Sequence, residues 1–186
     1  MKLPSWVVAA LALACAAPPA PRVPSVRLES SGGAPEDFPA NLASAPWTVL
    51  VFYSGDCPCF KAHEARLRSL HDRYTPRGVR FLLVDSESGA SLAPAAGSSR
   101  DPALPMPLVT DPDAVLASGL GAEYATYSVL LDPNGEVRYR GGLDSDKSHL
   151  REDATFYLRD ALDDVLAGRN PRRTEAKALG CPLQTR

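Results

Sequence analysis

This sequence has no apolar run long enough to cross a bilayer: Trp6 to Ala14 is short of the ~20 residues a spanning helix needs. Charge of one sign is not in excess either. Lys plus Arg number 20 and Asp plus Glu 22, for a net charge of −2, so there is no field to hold nucleic acid or acidic lipid. No nucleic-acid partner is expected. The chain shows no internal repeat, and its 45% hydrophobic composition is ample for one domain with its own core. Histidine is scarce at three residues and cysteine at four, so soft or titratable chemistry has few places to sit.

The N-terminus reads as an address. Met1-Lys2 gives one positive charge, Trp6 to Ala14 an apolar stretch, and Ala12-Leu-Ala-Cys15 a close in small residues, which is the pattern of a signal peptide. Cys15 resembles the cysteine of a bacterial lipobox, with leucine one place later than usual. Lipid attachment at Cys15 is expected, against ordinary cleavage at the Ala-x-Ala pattern. The expected location is the cell envelope on the periplasmic side, held by the lipid, or secretion if Cys15 carries none. Residues 1–14 thus read as the signal peptide, 15–45 as a Pro/Ala-rich tether, 46–168 as the domain and 169–186 as a basic tail. Val26-Arg-Leu28 is a short edge strand at most.

The informative stretch starts at Thr48. Val49 to Tyr53 is a β-branched and aromatic run suited to a strand covered on both faces, and Ser54-Gly-Asp56 ends it in turn formers. From there Phe60, His63, Leu67, Leu70 and Tyr74 recur at helical spacing. Cys57 then falls at the helix N-cap, with Pro58 at the first helical position, where its fixed φ fits and its missing N–H is no loss. Free amides and the positive end of the helix dipole favour a thiolate there, while Asp56 opposes it. Further on, Val79 to Val84 reads as a second buried strand, parallel to the first by a right-handed helical crossover. Asp85 to Pro107 is a mobile loop near the site. A short helix runs from Pro112-Asp113 through Leu120, and Val129–Leu131 and Val137–Tyr139 flank the hairpin signal Pro133-Asn-Gly135. A last helix carries Ala154, Tyr157, Leu158, Ala161, Leu162, Val165 and Leu166, and stops at Gly168.

Phe52-x-x-x-x-Cys57-Pro58 at the end of a buried strand, opening a helix, resembles the active-site region of thioredoxin-like proteins, in particular the peroxiredoxin-like redoxins and thiol-disulfide oxidoreductases. Gly78 to Asp85 and Tyr127 to Gly142 are similar to the next strand and the closing hairpin of that family. The resemblance implies an α/β thioredoxin-like fold, a central mixed sheet flanked by helices, and Cys57 as nucleophile. It implies protein disulfides or peroxides as substrates, a thiol electron donor and no organic cofactor. The chain also departs from the family. Phe60 stands where thioredoxins have a second cysteine, and Thr126-Tyr127 where they have Thr-Pro, so no cis bond is expected there. Restoring proline at Tyr127 is expected to raise activity if the family geometry is otherwise present. Leu50 replaces the proline of true peroxiredoxins, and their arginine aligns with Thr126.

The remaining candidates keep alternatives open. Cys59 is a nearby auxiliary thiol and a poor disulfide partner for Cys57, since side chains two apart on a helix diverge. His63, four residues after Cys59, reads either as a base for a thiol or as a partly buried structural histidine. Cys57, Cys59 and His63 together form a set of soft and borderline ligands for copper or zinc. Cys181 sits in a turn, Leu179-Gly-Cys-Pro182, like the Gly-Cys tails of some redoxins, and is expected to bond to Cys57 or Cys59 on oxidation. A non-catalytic binding lipoprotein on the same fold is the third reading.

Overall fold

The structure, a computed structural model, describes residues 20–92 and 104–185. Cys15 and the expected signal peptide lie outside the described residues, as do residues 93–103 of the expected Asp85–Pro107 loop, and among the described residues no helix is long and apolar enough to cross a membrane. Ten elements follow in order: β1 (Val26–Ser30), β2 (Glu36–Phe38), β3 (Trp47–Tyr53), α1 (Pro58–Tyr74), β4 (Val79–Asp85), β5 (Leu108–Thr110), α2 (Val115–Leu120), β6 (Tyr127–Leu131), β7 (Val137–Gly142) and α3 (Tyr157–Leu166).

The strands form one mixed sheet in the order β2-β1-β5-β4-β3-β6-β7. β3 pairs in parallel with β4 and antiparallel with β6, so it is central, and Val49, Leu50, Val51 and Phe52 have no exposed surface. A strand covered on both faces has no need of alternation, which is why the sequence reads there as an unbroken apolar run. α1 buries Phe60, His63, Leu67 and Tyr74, the expected stripe, and α3 ends at Gly168 with φ +73°, a conformation that glycine adopts without strain. At the hairpin the Asp132 carboxylate accepts the amides of Asn134 and Glu136 and fixes the turn. This is the expected α/β thioredoxin-like architecture.

Two segments differ from expectation. The stretch read as a tether is part of the domain from residue 20 onward: Val23, Phe38 and Leu42 are buried, and β1 pairs with both β2 and β5. The basic tail is not loose. Asp164 on α3 accepts the Arg172 amide and the Arg169 and Arg172 guanidiniums, and the chain then runs along the β7 edge, where Arg140 N–H donates to Thr174 O and Ala176 N–H to Arg140 O. Farther on, Ala125 N–H donates to Cys181 O, Leu183 N–H to Glu123 O and Ser88 N–H to Gln184 O. Residues 169–185 therefore form a strap across the carboxyl ends of the central strands.

Candidate active site

β3 ends and α1 begins where the sequence placed the junction. Cys57 is the N-cap residue, with extended backbone (φ −82°, ψ 111°), and its sulfur accepts the Phe60 amide at 3.4 Å. Pro58 occupies the first turn, so one of the otherwise orphaned amides is simply absent.

The strap delivers Cys181 to this point. Its Sγ lies 2.6 Å from Cys57 Sγ, inside ordinary non-bonded contact, and the sulfurs of Cys57, Cys59 and Cys181 all lie within 4.8 Å of one another. The three thiols are free. Cys57 and Cys59 are only 1% and 3% exposed, so the cluster is closed to bulk water except around Cys181, which is half-buried. Burial opposes ionisation of Cys57, but the thiol of Cys181 and the amides of Phe60, Cys181 and Cys59 outweigh it, and its pKa is lowered. Burial and then the neighbouring Cys57 push Cys181 up to about 12. Of the two, Cys57 is therefore the thiol that ionises more readily, with Cys181 the one that keeps its proton.

His63 does not join the sulfurs. It is 1% exposed, its Nδ1 is 2.7 Å from the Cys59 carbonyl oxygen and its Nε2 3.2 Å from Asp144 Oδ1. Both partners are acceptors, so both nitrogens donate and neither is left for a thiol or a metal. Burial disfavours the imidazolium, yet the Asp144 hydrogen bond more than offsets it and the His63 pKa is raised. The thiol-base reading and the Cys57, Cys59, His63 metal set both fail on this geometry. His63 instead ties α1 to the segment after β7, where Arg66 bridges Asp144 and Asp146 at 2.7 and 3.0 Å. Sequence reading missed Asp144 and Asp146. The available signal was a histidine on an apolar stripe, which requires a polar partner somewhere in the fold.

Opposite the cysteines, the Thr126–Tyr127 bond is trans, as expected; among the described residues the Phe38–Pro39 bond alone is cis. Thr126 has φ +73°, unusual for a β-branched residue. Its amide donates to Phe52 O and that of Tyr127 to Tyr124 O, which holds the turn that meets Gly180 and Cys181.

Solved structures share this fold. An uncharacterized conserved protein from Geobacillus kaustophilus is 23% identical, with a TM-score of 0.75 over 90% of this chain and 92% of its own. A hypothetical protein from Sinorhizobium meliloti 1021 is 20% identical, with a TM-score of 0.74 over 91% and 95%. Peroxiredoxin Q of Xanthomonas campestris, also 20% identical, aligns at 0.50 over 77% and 88%. Among curated proteins none matches the sequence. The AhpC/TSA profile matches residues 22–140, more than half of the chain, spanning β1 through most of β7 and including the Cys57 junction. That match, on a thioredoxin-like sheet that hands a cysteine to a helix start, makes the chain a member of the AhpC/TSA family of redoxins.

Proposed function

We propose that this redoxin reduces disulfides or peroxides with Cys57 as nucleophile and Cys181 as resolving thiol. The observation that carries the reading is the 2.6 Å approach of Cys181 Sγ to a Cys57 Sγ seated at a helix N-terminus. With a disulfide substrate, the Cys57 thiolate attacks one sulfur, the substrate S–S bond breaks, and the departing thiolate takes a proton. Cys181, losing its own proton, then attacks Cys57 Sγ and expels the second substrate thiol, leaving a Cys57–Cys181 disulfide. With a peroxide, attack on oxygen releases the alcohol or water and leaves a sulfenic acid, which Cys181 condenses to the same disulfide with loss of water. An external thiol donor supplies the two electrons that restore both thiols.

The test is peptide mapping of the reduced chain after one equivalent of hydrogen peroxide or of a peptide disulfide. A Cys57–Cys181 linkage is expected; Cys57→Ser should abolish turnover, since serine still caps the helix, and Cys181→Ser should stall at the sulfenic acid or mixed disulfide. Cys181 left free on mapping, together with normal recycling by Cys181→Ser, would refute the resolving role.

The N-terminal pattern adds a location to this reading: an envelope protein anchored through lipid on Cys15. Cys15→Ala should then move the mature protein from the membrane fraction to the soluble one.

A further inference from the structure

The exchange just described uses two thiols, while the fold assembles three. Cys57, Cys59 and Cys181 converge on one point, all within 4.8 Å sulfur to sulfur, and among the described residues no further His, Cys, Asp or Glu joins the group. Two of the three are almost wholly out of water. A donor set of sulfur alone is soft; it suits Cu(I), whereas structural zinc takes four ligands in a tetrahedron. With metal–sulfur bonds near 2.3 Å, three sulfurs around one ion stand about 4 Å apart, which is within the observed spread. The 2.6 Å Cys57–Cys181 approach has to open by about 1.4 Å on that geometry, and Cys181 is carried by the strap rather than by the sheet or a helix.

We propose that the fully reduced protein binds one Cu(I) ion through the three thiolates of Cys57, Cys59 and Cys181, with no water in the coordination sphere. The metal keeps its oxidation state, and the protons still on the thiols are released to solvent as it binds. The amides at the start of α1 face the resulting negative charge and offset part of it. His63 is no ligand, because both its nitrogens are engaged. Metal binding and a Cys57–Cys181 disulfide exclude one another, so the redox state of the chain gates uptake. The cluster offers this site whichever of its cysteines is the nucleophile.

The experiment titrates the anaerobically reduced full chain against Cu(I) held by bathocuproine disulfonate. One equivalent should be withdrawn per chain, with near-ultraviolet thiolate-to-copper absorption and an X-ray absorption edge and shell of three sulfurs. Cys181→Ser and Cys59→Ser should each weaken binding at least tenfold, His63→Gln should leave it unchanged, and the peroxide-oxidised chain should take up none. Circular dichroism checks each variant, and if Cys59→Ser does not fold, Cys181→Ser and the sulfur shell of the parent carry the test. No withdrawal by the reduced parent overturns the proposal, as does undiminished affinity in Cys181→Ser. Loss of binding in a folded His63→Gln would also overturn it, returning the ligand set to Cys57, Cys59 and His63.

Discussion

At Gly180 a single methyl group decides whether the thiols meet. A Cβ built there would lie 1.9 Å from Ala125 O and 3.3 Å from Thr126 Oγ1, so the strap cannot keep its place with any side chain at this position. Gly180→Ala should lift Cys181 from Cys57, destabilise the fold by about 1–3 kcal/mol as overpacking does, and leave little Cys57–Cys181 linkage after oxidation. A full yield of that linkage on peptide mapping would show that the approach of the sulfurs does not depend on the strap's register. The neighbouring turn lacks the condition on which a gain from proline at Tyr127 depends, the family's geometry. Tyr127→Pro was expected to raise activity, but Tyr127 N–H donates to Tyr124 O, and proline would both remove that donor and push Thr126 from φ +73° toward extended backbone. The variant should lose about 1–3 kcal/mol from the unsatisfied carbonyl alone, read as a lower urea midpoint, with no gain in turnover. A gain would mean that the family's proline geometry is latent here after all.

Among the elements, the strap is the one that controls access. It buries Ala178 and Leu183 against the domain and lies over Cys57. Ending the chain after Gly168 should therefore raise the rate of Cys57 alkylation at least tenfold, and lower stability by at least the ~1.5–3 kcal/mol of one buried leucine. An unchanged alkylation rate in a folded truncation would mean that Cys57 is reached by another route. Why the strap was not legible in the sequence is instructive. β3 announces itself as an unbroken apolar run because it is covered on both faces, α1 and α3 because burial imposes a period on their own residues, and Asp132 to Gly135 announces its turn by local chemistry. Residues 169–185 are held by backbone hydrogen bonds to distant strands, which leave no period behind. β2 is hidden and β1 legible only as a short edge strand for a related reason: strands of three and five residues in a Pro/Ala-rich context bury too few side chains to stand out. Cys57 is placed by its neighbours alone, and Cys181 is singled out by a turn like the Gly-Cys tails of some redoxins. That the two sulfurs touch, and that His63 turns to Asp144, are long-range facts. Cys181 also lies outside residues 22–140, so family membership alone does not assign it a role.

For the whole molecule, the buried charges between α1 and the segment after β7 set how stability varies with pH. His63, Arg66, Asp144, Asp146 and Arg151 form one network, with Arg151 Nε 2.9 Å from Asp146 Oδ1 and Asp153 at its rim. The Arg151 amide, with the Arg151 and Arg66 guanidiniums, outweighs burial and holds Asp146 at about 2. Burial opposes the Asp144 charge, but His63, the Asp146 amide and Arg66 bring its pKa below the usual carboxylate range. Groups depressed on folding stabilise the fold above their ordinary pKa of about 3.9 and lose that contribution as pH falls toward the folded values. His63 is raised, so its contribution is complete below the ordinary imidazole value of about 6.5 and is lost as pH rises through the folded one. Stability of the reduced protein should thus be greatest between about pH 4 and 6.5 and fall on both sides. Urea midpoints measured through that range and beyond both its ends on the reduced chain provide the check, since the midpoint tracks stability where the slope is constant. His63→Gln should flatten the alkaline limb while lowering the plateau, and Asp146→Asn should shorten the acid limb. An alkaline limb that persists unchanged in His63→Gln would place the responsible titration outside this network and leave His63 with a packing role alone.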